Sequence, residues 1–112
     1  MDYTLTYPEL AEKWYKMTLN RQLLNVGSEI SRANKWSEKK PPLSFKMVDM
    51  ALELLYLTKE SLIRKKKRAA LREVCRAYEV VADFYYGDNY YKSTPESLQR
   101  YFDLMLIEDI EE

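Results

Sequence analysis

Apolar residues recur along this chain at the steps of three and four that place them on one face of a helix. Leu10, Trp14 and Met17 predict a short first helix, opening at Tyr7-Pro8-Glu9, where a proline suits the first turn. Thr18 stands where it either caps a second segment or sits inside a continuing helix. From Leu19 the seam is regular. Leu19, Leu23, Val26, Ile30 and Ala33 alternate steps of four and three as in a bundle helix, which ends near Trp36, before Ser37-Glu38-Lys39-Lys40 and the Pro41-Pro42 pair.

The next helix is predicted from near Ser44 to about Leu62. Met47, Val48, Met50, Ala51, Leu52, Leu54, Leu55, Tyr56 and Leu57 cover most of its circumference, leaving Asp49, Glu53 and Glu60 as a polar stripe. A helix this apolar is buried on more than one side, and oligomerisation is the simplest explanation, so a homo-oligomer is expected. The basic linker Arg64-Lys65-Lys66-Lys67-Arg68 leads into a helix carrying Leu71, Val74, Tyr78, Val81 and Tyr85. Gly87 follows as the expected left-handed residue of a helix terminator. Ser93-Thr94-Pro95-Glu96 reads as cap, proline and first-turn acid of a last helix bearing Leu98, Phe102 and Met105 and fraying into Glu108-Asp109-Ile110-Glu111-Glu112. Short connections between matched helices imply antiparallel neighbours. The expected fold is all-α: an antiparallel up-down-up-down four-helix bundle with a short extra N-terminal helical segment, one domain over residues 1–112.

Composition narrows the chemistry. The 112 residues contain two glycines and four prolines, little material for the many tight turns of an all-β fold. Lys+Arg and Asp+Glu are both 18, so the net charge draws the chain toward neither nucleic acid nor membrane. There is no histidine, which removes Ser-His-Asp and Cys-His catalysis and the usual zinc sites. Cys75 is alone, which excludes an intrachain disulfide and suits a reducing compartment. Met1-Asp2-Tyr3-Thr4 lacks the features of a signal peptide, and no uncharged apolar stretch is long enough to span a membrane. A cytoplasmic protein without a cofactor is expected.

Three constellations are candidates. Folding the predicted helices against one another, with the second hairpin turning near residue 64, sets Glu53 level with Arg76 and Asp49 level with Glu79. Arg32 then falls near Asp49, with Glu29 one turn away and Asp83 one turn beyond Glu79. This mid-bundle layer of Glu29, Arg32, Asp49, Glu53, Arg76, Glu79 and Asp83 is either a ligand or Mg²⁺ site or a set of structural charge pairs, and the structural reading is favoured. The basic run Arg64, Lys65, Lys66, Lys67 and Arg68, extended by Arg72, is a candidate for holding nucleic-acid phosphates. The acids of residues 108–112, expected at the same bundle end, favour a solvated turn there instead. Tyr85, Tyr86, Tyr90 and Tyr91 cluster around Gly87 and fit either a plug at the bundle end or a protein contact. Gly27 is expected to mark close helix approach, and Trp14 and Trp36 to cap the two ends of the first helical region.

Leu24-Asn25-Val26-Gly27-Ser28-Glu29-Ile30-Ser31-Arg32 loosely resembles the first metal-binding helix of MazG-like nucleotide pyrophosphatases, which implies an Mg²⁺-dependent alternative. That family pairs acids as Glu-x-x-Glu and Glu-x-x-Asp, whereas here Arg32 stands three after Glu29, and Glu79 and Asp83 are four apart. The stretches Gly27–Ala33 with Trp36, Arg72-Glu73-Val74, Asp83–Asn89, Ser93-Thr94 and Tyr101-Phe102-Asp103 resemble a group of small bacterial proteins of unknown function over nearly the whole chain. More distantly, in helix order and length, the chain is similar to the four-helix bundles encoded in 23S rRNA intervening sequences and to the accessory variability determinant of diversity-generating retroelements. That likeness implies an antiparallel bundle that forms a ring or other homo-oligomer and binds nucleic acid; a protein or ribonucleoprotein partner belongs to the leading expectation. The leading expectation is a non-enzymatic interaction protein, with nucleic-acid binding through residues 64–76 and nucleotide hydrolysis as the alternatives.

Overall fold

Thr18 interrupts the first helical pattern. Its backbone is extended and its Oγ1 accepts the Arg21 N–H at 3.3 Å, so a short helix and a long one meet there at a capped joint. The computed structural model describes residues 7–108, with five helices among them: α1 Tyr7–Tyr15, α2 Leu19–Trp36, α3 Pro41–Arg64, α4 Arg68–Tyr86 and α5 Pro95–Glu108. None of the helices is long and apolar enough to cross a membrane.

The turns depart from the sequence pattern in three places. Pro41 and Pro42 open α3 instead of preceding it, because the N–H groups of a first turn have no partner inside the helix and proline loses nothing there. The α3 terminator is built on lysines. Lys66 takes the left-handed conformation (φ 58°), while the Lys66 N–H bonds Ile63 O and the Lys67 N–H bonds Leu62 O. Gly87, expected to be left-handed, is extended (φ −104°, ψ −159°). A side chain there would meet Asp83 O at 3.0 Å and Asp83 Cα at 3.1 Å, so glycine is needed for space. Asn89 and Lys92 supply the positive φ angles of that loop. Thr94 and Ser97 cap α5 reciprocally, each side-chain oxygen accepting the other's N–H at 3.0 and 2.8 Å.

The predicted seam of α2 is the centre of the core: Leu19, Leu23, Val26, Ile30 and Ala33 are all buried. Polar bonds fix how its neighbours run. Ser44 Oγ donates to Ala33 O at 2.6 Å, and Gln22 Nε2 donates to Trp14 O at 2.9 Å, while Trp14 Nε1 donates to Thr58 Oγ1 at 2.9 Å. These pairings make α3 antiparallel to α2. Asn34 Nδ2 reaches Pro95 O at 3.4 Å, and Gly27 faces Phe102, so α5 is antiparallel to α2 as well. Tyr86 bonded to Asp49, with Lys59 over Tyr78, makes α4 antiparallel to α3.

Backbones approach closely between α2 and α3, α3 and α4, α2 and α5, and α1 and α3; among the described residues α4 and α5 do not meet as extensively. The apolar circumference of α3 therefore has three partners in its own chain. Trp14, expected as an end cap, is fully buried and is the wedge by which α1 grips α3. Trp36 stays half-buried near the far end of α2, with Lys35 and Lys40 over its ring at 5.9 and 5.6 Å.

Candidate functional site

One stripe of α3 carries Leu43, Met47, Met50, Leu54, Leu57 and Ser61 at alternating steps of four and three. Its second half is buried, alongside the contact that α1 makes through Trp14 and Thr58. Its first half is only half-buried. A nine-residue helix is about 13.5 Å long and cannot cover a 24-residue one of about 36 Å. What remains is a groove of about 630 Å³ between α2 and α3, lined by Leu43, Lys46, Met47 and Met50 of α3 and by Glu29 and Arg32 of α2. Its size falls in the range of ligand and peptide sites, and it combines an apolar floor with a few charges. Glu29 is 2% exposed and accepts from Arg32 Nη1 at 2.9 Å, while the Arg32 side chain remains half exposed. Lys46 is exposed at the rim.

The mid-bundle layer expected from the sequence is divided between two faces of α3. Glu29 and Arg32 belong to the groove just described. Asp49 and Glu53 line a second, open groove of about 360 Å³ with Leu52, Tyr56 and Tyr78, where Lys59 Nζ lies 4.8 Å from the Tyr78 ring centroid. The expected pairing of Glu53 with Arg76 and Asp49 with Glu79 is displaced, because the α3–α4 turn centres on Lys66 rather than residue 64. Tyr86 meets Asp49 in place of Glu79, a displacement of about two helical turns along α4. Arg76 is exposed, and Glu79 accepts from Tyr91 Oη at 3.2 Å. Asp83 holds the following loop, accepting the backbone N–H groups of Tyr90 and Tyr91 at 2.8 and 3.0 Å.

Hydrogen bonding and burial mark this tyrosine-rich region electrostatically. The bond to Asp49 pushes the Tyr86 phenol up to about 12, and burial does the same for Tyr85. Tyr91 is raised by its bond to Glu79. Phe45 packs on Tyr86 with ring centroids 5.4 Å apart, so the tyrosine cluster is tied to the start of α3.

The basic candidates gather at the other end of α3. Arg64, Lys65, Lys66, Arg68 and Arg72 are exposed and Lys67 is half-buried; Arg64 stacks on Tyr15 at 4.3 Å from its ring centroid. Helix α5 ends at this same end, and residues 109–112, with most of the acids expected to neutralise it, lie outside the described residues. No group of three Cys, Asp or Glu side chains among the described residues is arranged to hold a metal ion. Cys75 is half-buried and free.

Sequence reasoning placed Met47 and Met50 on an apolar circumference expected to self-associate, but singled out neither Leu43 nor Lys46 and did not see a groove. The signal was the mismatch between a long apolar stripe and the short helix available to cover it. No family model matches the chain, and comparison with curated proteins and with solved structures likewise finds no match.

Proposed function

We propose that this protein is a non-enzymatic interaction module, acting by protein–protein contact and first of all by self-association. In this reading α2–α5 form an antiparallel four-helix bundle, with α1 laid on α3 as partial cover. The observation that carries it is the half-buried first half of the α3 stripe, Leu43, Met47 and Met50, which lines an open groove and is continuous with a second half that α1 helps to bury. Methionine-lined grooves suit adaptable protein contacts. Light scattering after size exclusion tests the reading. The wild-type chain is expected to run as an oligomer and the Met47→Asp/Met50→Asp variant as a folded monomer; a wild-type monomer at high micromolar concentration overturns it.

A second reading is supported by the exposed cations around the α3–α4 turn, which fit a phosphate backbone or ribonucleoprotein partner. It expects salt-sensitive RNA or DNA binding that collapses when Lys65, Lys66 and Lys67 are replaced by glutamate. Binding unchanged by that replacement removes it. No group of three acids among the described residues is arranged to hold a metal ion, so no observation favours nucleotide hydrolysis.

A further inference from the structure

The groove beside Leu43, Met47 and Met50 has an exposed rim that is positive, with Lys46 and the half-exposed Arg32, while its one carboxylate, Glu29, is buried and paired. Two such grooves packed face to face would set these cations against their own copies, which disfavours that pairing. The rim instead suits an acidic, amphipathic occupant. Residues 107–112 have that composition: Ile107 and Ile110 are three apart in the sequence, among Glu108, Asp109, Glu111 and Glu112. Residues 1–6 carry a single acid, Asp2.

The acidic segment is out of reach of the groove in its own chain. By the Gly27–Phe102 and Asn34–Pro95 pairings, Glu108 stands level with Arg21, roughly 12 Å along α2 from Glu29 at 1.5 Å per residue. Gly27, which faces α5, and the groove residues Glu29 and Arg32 also lie on different sides of α2, a cylinder about 10 Å across. Four residues beyond Glu108 extend about 14 Å, too short for both displacements together.

We infer that the groove docks residues 107–112 of a second copy of this chain, the isoleucines on the methionine floor and the acids against Lys46 and Arg32. The inference rests on the self-association reading and names its contact. Sedimentation velocity on the full chain over a dilution series, at low and high salt, tests it on three variants that circular dichroism shows to be helical. A chain lacking residues 109–112, and the Lys46→Glu chain, should each dissociate at about tenfold higher concentration or more, and the wild-type oligomer should weaken with salt. Combining Lys46→Glu with Glu111→Lys and Glu112→Lys should restore association. An oligomer indifferent to salt and to removal of 109–112, or a Lys46→Glu defect that charge reversal does not rescue, overturns the docking and leaves self-association standing. A monomer under every condition overturns both.

Discussion

Lys66 and Gly87 divide between them the two reasons for which glycine is ordinarily used. Lys66 holds the left-handed position of the α3 terminator, which costs a residue with a Cβ about 1 kcal/mol. Lys66→Gly should therefore stabilise the fold by about 0.5 kcal/mol, after subtracting glycine's greater freedom in the unfolded chain, as urea unfolding would show. Gly87 has ordinary dihedrals but no room beside Asp83, so Gly87→Ala should cost about 1–2 kcal/mol in the same assay. Ser61 Oγ is buried in α3 without a hydrogen-bond partner among the described residues, and Ser61→Ala should raise stability by about 1 kcal/mol. The tyrosines give a pH dependence of definite sign. Tyr85 and Tyr86 are raised from 10.0 to about 12, so the folded state favours their neutral forms. Their contribution is fully present below about pH 10 and is lost as pH rises through about 12. Thermal melts across that window should show the fall, and Asp49→Asn should move the Tyr86 titration, followed by ultraviolet absorbance, back toward 10.

At the scale of the element, α1 is short yet central to how α3 is buried. Trp14→Ala removes a fully buried indole and orphans the Thr58 contact, and should cost about 3–5 kcal/mol, a large part of the 5–15 kcal/mol typical of a domain. If Trp14 were merely an end cap, the melting temperature would hardly move. Gly27 marks the α2–α5 contact, but an added Cβ would sit 3.5 Å from Phe102 Cβ, an ordinary contact distance. Gly27→Ala should thus gain up to about 1 kcal/mol of helix propensity, whereas Gly27→Leu should drive α5 away and destabilise the chain. The α2 seam was legible from spacing alone, since it is local, whereas the sequence left Thr18 open between a cap and a continuing helix. The α3 start was not legible, because the Pro41-Pro42 pair fits a first helical turn as well as a linker. The alignment of α4 on α3 was misjudged by about two turns, Tyr86 standing at Asp49 where Glu79 was expected; a two-residue error in the turn centre shifts every cross-helix pair by about four residues and accounts for part of this.

For the whole molecule, equal numbers of acids and bases conceal an uneven layout: cations around the α3–α4 turn, carboxylates bonded to tyrosines along α3 and α4, and a positive rim on the apolar groove. The expectation of an oligomer came from the apolar circumference of α3, and most of that circumference is covered within the chain. Leu43, Met47 and Met50 stay half-buried beside the groove, and Phe45, Tyr56 and Ile63 of the same helix are exposed; substituting Met47 and Met50 tests the groove. The sequence by itself determined that the chain is helical, where most helices begin and end, and which face of α2 is buried. Those properties follow from periodicity, caps and turn residues within a few positions of one another. The tertiary structure alone decided that α1 lies on α3, that the expected charge layer is split between two grooves, and that the Met47–Met50 surface is left open. These depend on rotation and sliding of whole helices, which a difference of one or two residues in a turn is enough to change.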